Sequence, residues 1–122
     1  MPNVPSIPFT LTPDFARLVG QAIAALKIAQ KNVVTKTASY TAQTGDNLIR
    51  GDATAGAITI TLPPAAQYAG LYFDIKKIDA SANAVIIDGN GTETIDGALT
   101  VSLAAQYASR TVVSNGVGWD AI

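Results

Sequence analysis

The chain has 122 residues, 48% hydrophobic and 14% charged, with a net charge of -1 and neither cysteine nor histidine. Such a length and apolar content specify one domain, or one small domain with an appendage, and exclude intrinsic disorder. The missing residue types exclude disulfides, the ordinary zinc sites, thiol nucleophiles and the commonest general base, and the near-neutral balance leaves no basic field for nucleic acid or an anionic membrane.

The charge is unevenly spread. Through Lys36, Arg17, Lys27, Lys31 and Lys36 stand against Asp14 alone, whereas the remainder sets Arg50, Lys76, Lys77 and Arg110 against eight acids. That asymmetry divides the chain into an N-terminal piece and a β-rich piece of opposite character. The start "MPNVPSIPF" has neither the basic nor the apolar region of a signal peptide. No uncharged apolar run reaches the roughly 18 residues needed to span a bilayer. The expectation is synthesis in a cytoplasm without membrane insertion.

Residues 1–12 carry Pro2, Pro5 and Pro8. Proline fixes φ and pushes its predecessor toward extended backbone, so this stretch reads as an extended arm with the apolar side chains Val4, Ile7, Phe9 and Leu11. It is either a disordered leader or an anchoring arm that orders on a partner.

Residues 13–36 read as a helix. Thr12 suits the N-cap, Pro13 the first helical position and Asp14 the positive end of the helix dipole, while Lys27 and Lys31 fall toward the other end. Phe15, Val19, Ala22, Leu26, Ala29 and Val33 recur at heptad spacing, and Leu18, Ile23 and Ile28 widen the seam. Such a helix either packs on its own β-domain or pairs with copies of itself. The width of the apolar face favours a three-helix bundle about a symmetry axis, hence a homotrimer.

From residue 37 to 122 the pattern changes to period two. "AITITL", "LTVSL" and "LYFDIKKI" place Ile58, Ile60 and Leu62, then Leu99, Val101 and Leu103, then Leu71, Phe73 and Ile75 on one face each. "ASYTA", "NLIRGD", "AVIID", "RTVVS" and "GWDAI" are further strands, separated by turn signals at Gly45-Asp46, Pro63-Pro64, Asp88 to Gly91, Asp96-Gly97 and Asn115-Gly116. Short strands at this spacing predict a mainly β fold, a small antiparallel sandwich or barrel of jelly-roll type. The Asn115-Gly116 turn pairs the last two strands and brings the only tryptophan, Trp119, onto the core.

"GAITITLPPAAQYAG" (56–70) and "GALTVSLAAQYAS" (97–109) are two copies of one pattern. They predict equivalent places for Tyr68 and Tyr107, which would either cap core edges or contact a ligand such as a host-surface glycan. The remaining motifs carry less. Asp46, Asp88 and Asp96 sit in turns and read as turn-formers rather than glycosidase carboxylates. "DGNGTE" lacks the ligand spacing of a calcium loop, "RGD" at 50–52 has no context, "NGT" at 90–92 is a turn, and "GNG" precedes no helix. No catalytic residue, cofactor or metal is expected.

The run from Leu62 to Ile122 resembles a module found at the C-termini of tailed-bacteriophage virion proteins. The resemblance rests on Leu-Pro followed by Gly, Ile-Lys-Lys, Thr-Ile-Asp-Gly, Gln-Tyr, Val-Val-Ser-Asn-Gly and a terminal Trp-x-x-Ile. It covers about half of the chain, and departs from the pattern at Ala108 and Asp120. It implies a non-enzymatic structural protein on the virion exterior, commonly trimeric, contacting a major capsid or other virion protein. The short chain points to a capsid decoration or head fibre, the alternative being a tail-fibre or receptor-binding tip.

Overall fold

The computed structural model describes Arg17 and residues 32–122. The chain divides into two units at Lys31/Asn32, and the second, here called the body, is mainly β. Its strands are β1 (Val33–Lys36), β2 (Tyr40–Thr41), β3 (Leu48–Gly51), β4 (Ile58–Thr61), β5 (Tyr72–Lys77), β6 (Val85–Asp88), β7 (Thr100–Leu103), β8 (Ser109–Ser114) and β9 (Trp119–Ala121), with one short 3-10 turn at Ala65–Gln67. Every strand expected from the period-two pattern is present, and β1 is additional.

β1 corrects the expected helix at its C-terminal end. Val33 to Lys36 pair in parallel with Leu48 to Gly51, so Val33 is a strand residue and 54% exposed. Val-Val-Thr is β-branched throughout and loses rotamer freedom in a helix; a neighbouring strand edge outweighs the heptad spacing. Phe15, Val19, Ala22, Leu26 and Ala29 of the seam, and Val4, Ile7, Phe9 and Leu11 of the arm, lie outside the described residues.

Two mixed sheets form the body, in the orders β1-β3-β5-β8-β9 and β2-β4-β6-β7. β1 through β6 alternate between them, so the chain passes three times from the larger sheet to the smaller and lays each of β3 to β6 in parallel beside the strand two before it. β7 then turns back antiparallel on β6, and β8 and β9 close the larger sheet antiparallel on β5. This corrects the wholly antiparallel expectation. Period two reports which face is buried and is the same for parallel and antiparallel neighbours, and here connections cross between sheets where hairpins were expected.

The inner faces share one core: Ile49, Phe73, Ile75 and Val112 from the larger sheet, Ile58, Ile60, Val85, Ile87 and Leu103 from the smaller, with Leu62, Ile95 and Trp119. Gly51 lets the sheets approach closely, since a Cβ there would lie 2.8 Å and 2.9 Å from the Val85 methyls. Leu99, expected inside, is 56% exposed; it precedes β7 and never enters the alternation. Trp119 pairs with Ser114 across the Asn115-Gly116 turn, where Gly116 has φ +92, and is 1% exposed. Its ring stands 5.9 Å from that of Phe73.

Candidate functional site

The winding sorts the connections into two ends. Connections 42–47, 62–71, 89–99 and 115–118 gather at one end and 37–39, 52–57, 78–84 and 104–108 at the other. Tyr68 therefore lies at the first end and Tyr107 at the second: β7 runs against β6, and β6 along β4, so the repeated strands point in opposite directions. The two tyrosines do not form one surface. Nor are they equivalent locally. Tyr68 is half-buried, with φ -139, whereas Tyr107 is 62% exposed and left-handed at φ +67.

The first end holds a cleft of about 310 Å³ between the 92–97 stretch and the last hairpin, with Glu93, Asp96, Asn115, Trp119 and Asp120 in its wall. The 92–97 stretch is laid along β9 by backbone pairing. Trp119 N donates to Thr94 O at 2.9 Å, Asp96 N to Trp119 O at 3.0 Å, and Ile95 bridges both Trp119 and Ala98. Its carboxylates are engaged in holding the chain. Glu93 accepts from Ala65 N through both oxygens at 3.1 Å, Asp96 from Ala121 N at 3.0 Å, and Asp120 from Asn115 Nδ2 at 3.0 Å. Asp96 does sit in its expected turn, at φ +49 between the paired Ile95 and Ala98, but its carboxylate bonds across to β9 instead of to local backbone. Asp46 does close its own turn, accepting from Gln43 N at 2.9 Å and from the Tyr40 hydroxyl at 2.7 Å. Burial, followed by this bond and the charge of Asp46, raises the Tyr40 phenol to about 12.

At the second end a buried clamp ties the connections together. Lys77 continues the inward face of Phe73 and Ile75 and is fully buried. Its Nζ donates to Asp79 Oδ2 at 2.7 Å, and Ser81 donates to the same oxygen through its hydroxyl and, at 3.1 Å, its backbone N–H. Asp79 Oδ1 accepts from Ala53 N at 2.8 Å, and Asn83 Nδ2 donates to Ala53 O at 2.8 Å. The Lys77 ammonium foremost, with the Ser81 and Ala53 donors, holds the Asp79 carboxyl well below the ordinary range despite its burial. Beside the clamp, Tyr107 N donates to Lys77 O at 2.8 Å, fixing the left-handed backbone, and Lys76 Nζ lies 5.3 Å from the Tyr107 ring centre. The signal for this clamp, hidden under the hydrophobic periodicity, is a lysine at an inward position, two residues before an aspartate.

The charges follow the two ends. Asp46, Asp88, Glu93, Asp96 and Asp120 cluster toward the cleft end, whose four connections contain no lysine or arginine, while Lys36, Arg50, Lys76, Lys77 and Arg110 lie toward the clamp end together with Asp52 and Asp79. Between them, hydroxyl-bearing residues dominate the outer face of the smaller sheet, with Thr59 and Thr61 on β4, Thr100 and Ser102 on β7, and Thr41 on β2.

No protein-family model matches this chain, and no curated protein matches it.

Proposed function

We propose that this chain is a structural protein of a tailed phage or phage-like particle: a homotrimeric decoration or head-fibre protein whose N-terminal arm and helix anchor it on the capsid and whose β-body projects outward. One observation carries the reading. The residues behind the resemblance are those that build the body. Ile75 and Lys77 hold the core and the clamp, Thr94 to Gly97 lie along β9, Gln106 and Tyr107 close on Lys77 and Ile78, Val112 to Gly116 form the last hairpin, and Trp119 seals it. Their chemistry goes into holding a shape, which suits a protein whose work is to be a stable surface element. Among the described residues β1 and β2 are edge strands of their sheets, and β1 begins two residues after residue 31, so the proposed trimer seam is followed in the chain by an edge strand.

Light scattering of the purified full chain tests the assembly: the mass of three chains is expected, and a monomer at micromolar concentration overturns it. Antibody labelling of intact particles in electron micrographs tests the location, with label on the head expected. Label on the tail alone would move the chain to the alternative, a tail-fibre protein.

One observation favours a second reading, a receptor- or glycan-binding tip. Tyr107 is an exposed aromatic held in a left-handed conformation with a lysine against its ring, and rigid exposed aromatics make good contact surfaces. A glycan array separates the readings: specific binding lost on Tyr107→Ala supports the tip, and no binding leaves the decoration protein.

A further inference from the structure

The chain contains two Asn-Gly pairs, Asn90-Gly91 and Asn115-Gly116, and the structure treats them differently. Asn115 is held on every side. Its Oδ1 accepts from Val117 N and Gly118 N, both at 2.9 Å, and its Nδ2 donates to Asp120 at 3.0 Å. The following nitrogen is occupied as well, Gly116 N donating to Ser114 Oγ at 3.2 Å. Asn90 has none of this. Its side-chain amide makes no hydrogen bond among the described residues, nor does Gly91 N, and Gly91 is exposed at φ +56 with open space where a side chain would stand.

We propose that Asn90 is a site of spontaneous covalent modification, deamidation through a cyclic imide, and that Asn115 is protected from the same chemistry by its turn. Gly91 N loses its proton and bonds to Asn90 Cγ. The Cγ–NH2 bond breaks, and the nitrogen leaves as ammonia with that proton. Water then adds to one of the two imide carbonyls: opening at Cγ gives aspartate, and opening at the backbone carbonyl gives isoaspartate, with the main chain rerouted through Cβ. No enzyme and no oxidant are needed. Glycine at the second position permits the attack because no Cβ obstructs it.

The consequence reaches the cleft, because the turn is tight. Glu93 N donates to Asn90 O at 2.9 Å, a Cβ on Gly89 would lie 2.3 Å from Glu93 O, and the Glu93 carboxylate holds Ala65 N. Either product adds a negative charge at an end that already carries five acids. Isoaspartate also lengthens the backbone by one atom inside this turn and draws Glu93 off Ala65. The modification is an ageing switch for the cleft wall formed by Thr92, Glu93 and Thr94.

The test is to incubate the full chain at mildly alkaline pH and follow both asparagines by peptide mapping with mass detection, with a sample unfolded in urea as reference. Asn90 is expected to convert at least about tenfold faster than Asn115 in the folded chain, since three side-chain hydrogen bonds, each contributing modestly, must first open at Asn115. The two should convert at similar rates in urea. Asp120→Ala, at an exposed position, removes one of those bonds and should accelerate Asn115 alone. Equal rates in the folded chain, or an Asn90 that keeps its amide while the urea sample converts, would overturn the proposal. An Asn115 rate unchanged by Asp120→Ala would overturn the account of its protection.

Discussion

Replacing Trp119 measures how firmly the last hairpin closes the body. The indole is 1% exposed, packs against Phe73 and belongs to the shared core, so Trp119→Ala should cost about 3–5 kcal/mol, the range for emptying a buried aromatic site. In a domain of this size that lowers the melting temperature by at least about 12 °C. The phenylalanine variant is more diagnostic. Trp119 Nε1 is buried and has no acceptor among the described residues, and an orphaned buried donor costs about 1–3 kcal/mol. Trp119→Phe removes that donor while giving up two buried carbons, at roughly 0.8 kcal/mol each. The two effects oppose, so its stability should lie within about 1.5 kcal/mol of the parent. Urea unfolding followed by circular dichroism reads both variants, since each loses the only tryptophan fluorophore. A phenylalanine variant as damaged as the alanine one would refute the orphaned donor. An alanine variant losing under about 1 kcal/mol would refute the closing role itself.

Gly51→Ala should destabilise by about 1–3 kcal/mol through overpacking against the Val85 methyls, and Gly51→Ala with Val85→Ala should recover part of that in the same unfolding assay. The clamp gives a pH dependence of definite sign: Asp79 is depressed in the folded chain, so its contribution is whole above the ordinary carboxylate value and lost as pH falls through the lower folded one. Asp79→Asn should therefore be less stable than the parent at neutral pH and show a shallower acid limb in stability measured against pH. Tyr40 has the opposite sense, its contribution being whole below 10.0 and lost as pH rises through about 12. Absorbance titration should show a tyrosine ionisation at about 12 that vanishes in Tyr40→Phe, at a cost of about 1 kcal/mol in stability.

Strand positions were legible because half-buried strands write their burial into alternate residues. Ile58 and Ile60 are buried while Thr59 and Thr61 are half-covered, and Phe73 and Ile75 alternate with Tyr72 and Asp74 in the same way. The turn chemistry of Asn115-Gly116 likewise located the last hairpin and the place of Trp119. β1 was hidden for a physical reason: Val33 falls on the heptad seam of the preceding sequence, and its strand is stabilised by pairing with Leu48, a partner that no local pattern reveals. The clamp was missed because a lysine is read as a solvated charge until the aspartate and the Ala53 N–H that satisfy it are placed together in space.

The winding itself shows why a repeat in sequence need not mean a repeat in space. Val33, Leu48 and Asp74 stack in one row of the larger sheet, yet they are unevenly spaced along the chain, so the true structural period leaves no regular trace. The visible repeat, "GAITITLPPAAQYAG" and "GALTVSLAAQYAS", joins β4 to a strand that runs against it. Both copies carry Ala-Ala-Gln-Tyr where the chain crosses from the smaller sheet to the larger, but they cross at opposite ends. In the first, Pro63 and Pro64 lead into a 3-10 turn with Tyr68 half-buried. In the second, without the prolines, the chain crosses more tightly and forces Tyr107 to φ +67. Sequence similarity therefore marks a shared mechanical task, and the direction of the strand decides what each tyrosine faces. If that is right, exchanging the crossings, by deleting Pro63 and Pro64 from the first copy and inserting two prolines after Leu103 in the second, should destabilise the body at both places. Altering Tyr107 alone to glycine, which adopts its backbone without steric strain, should leave the fold intact, and a loss of folding in that variant would show that the side chain, not the crossing, holds the turn.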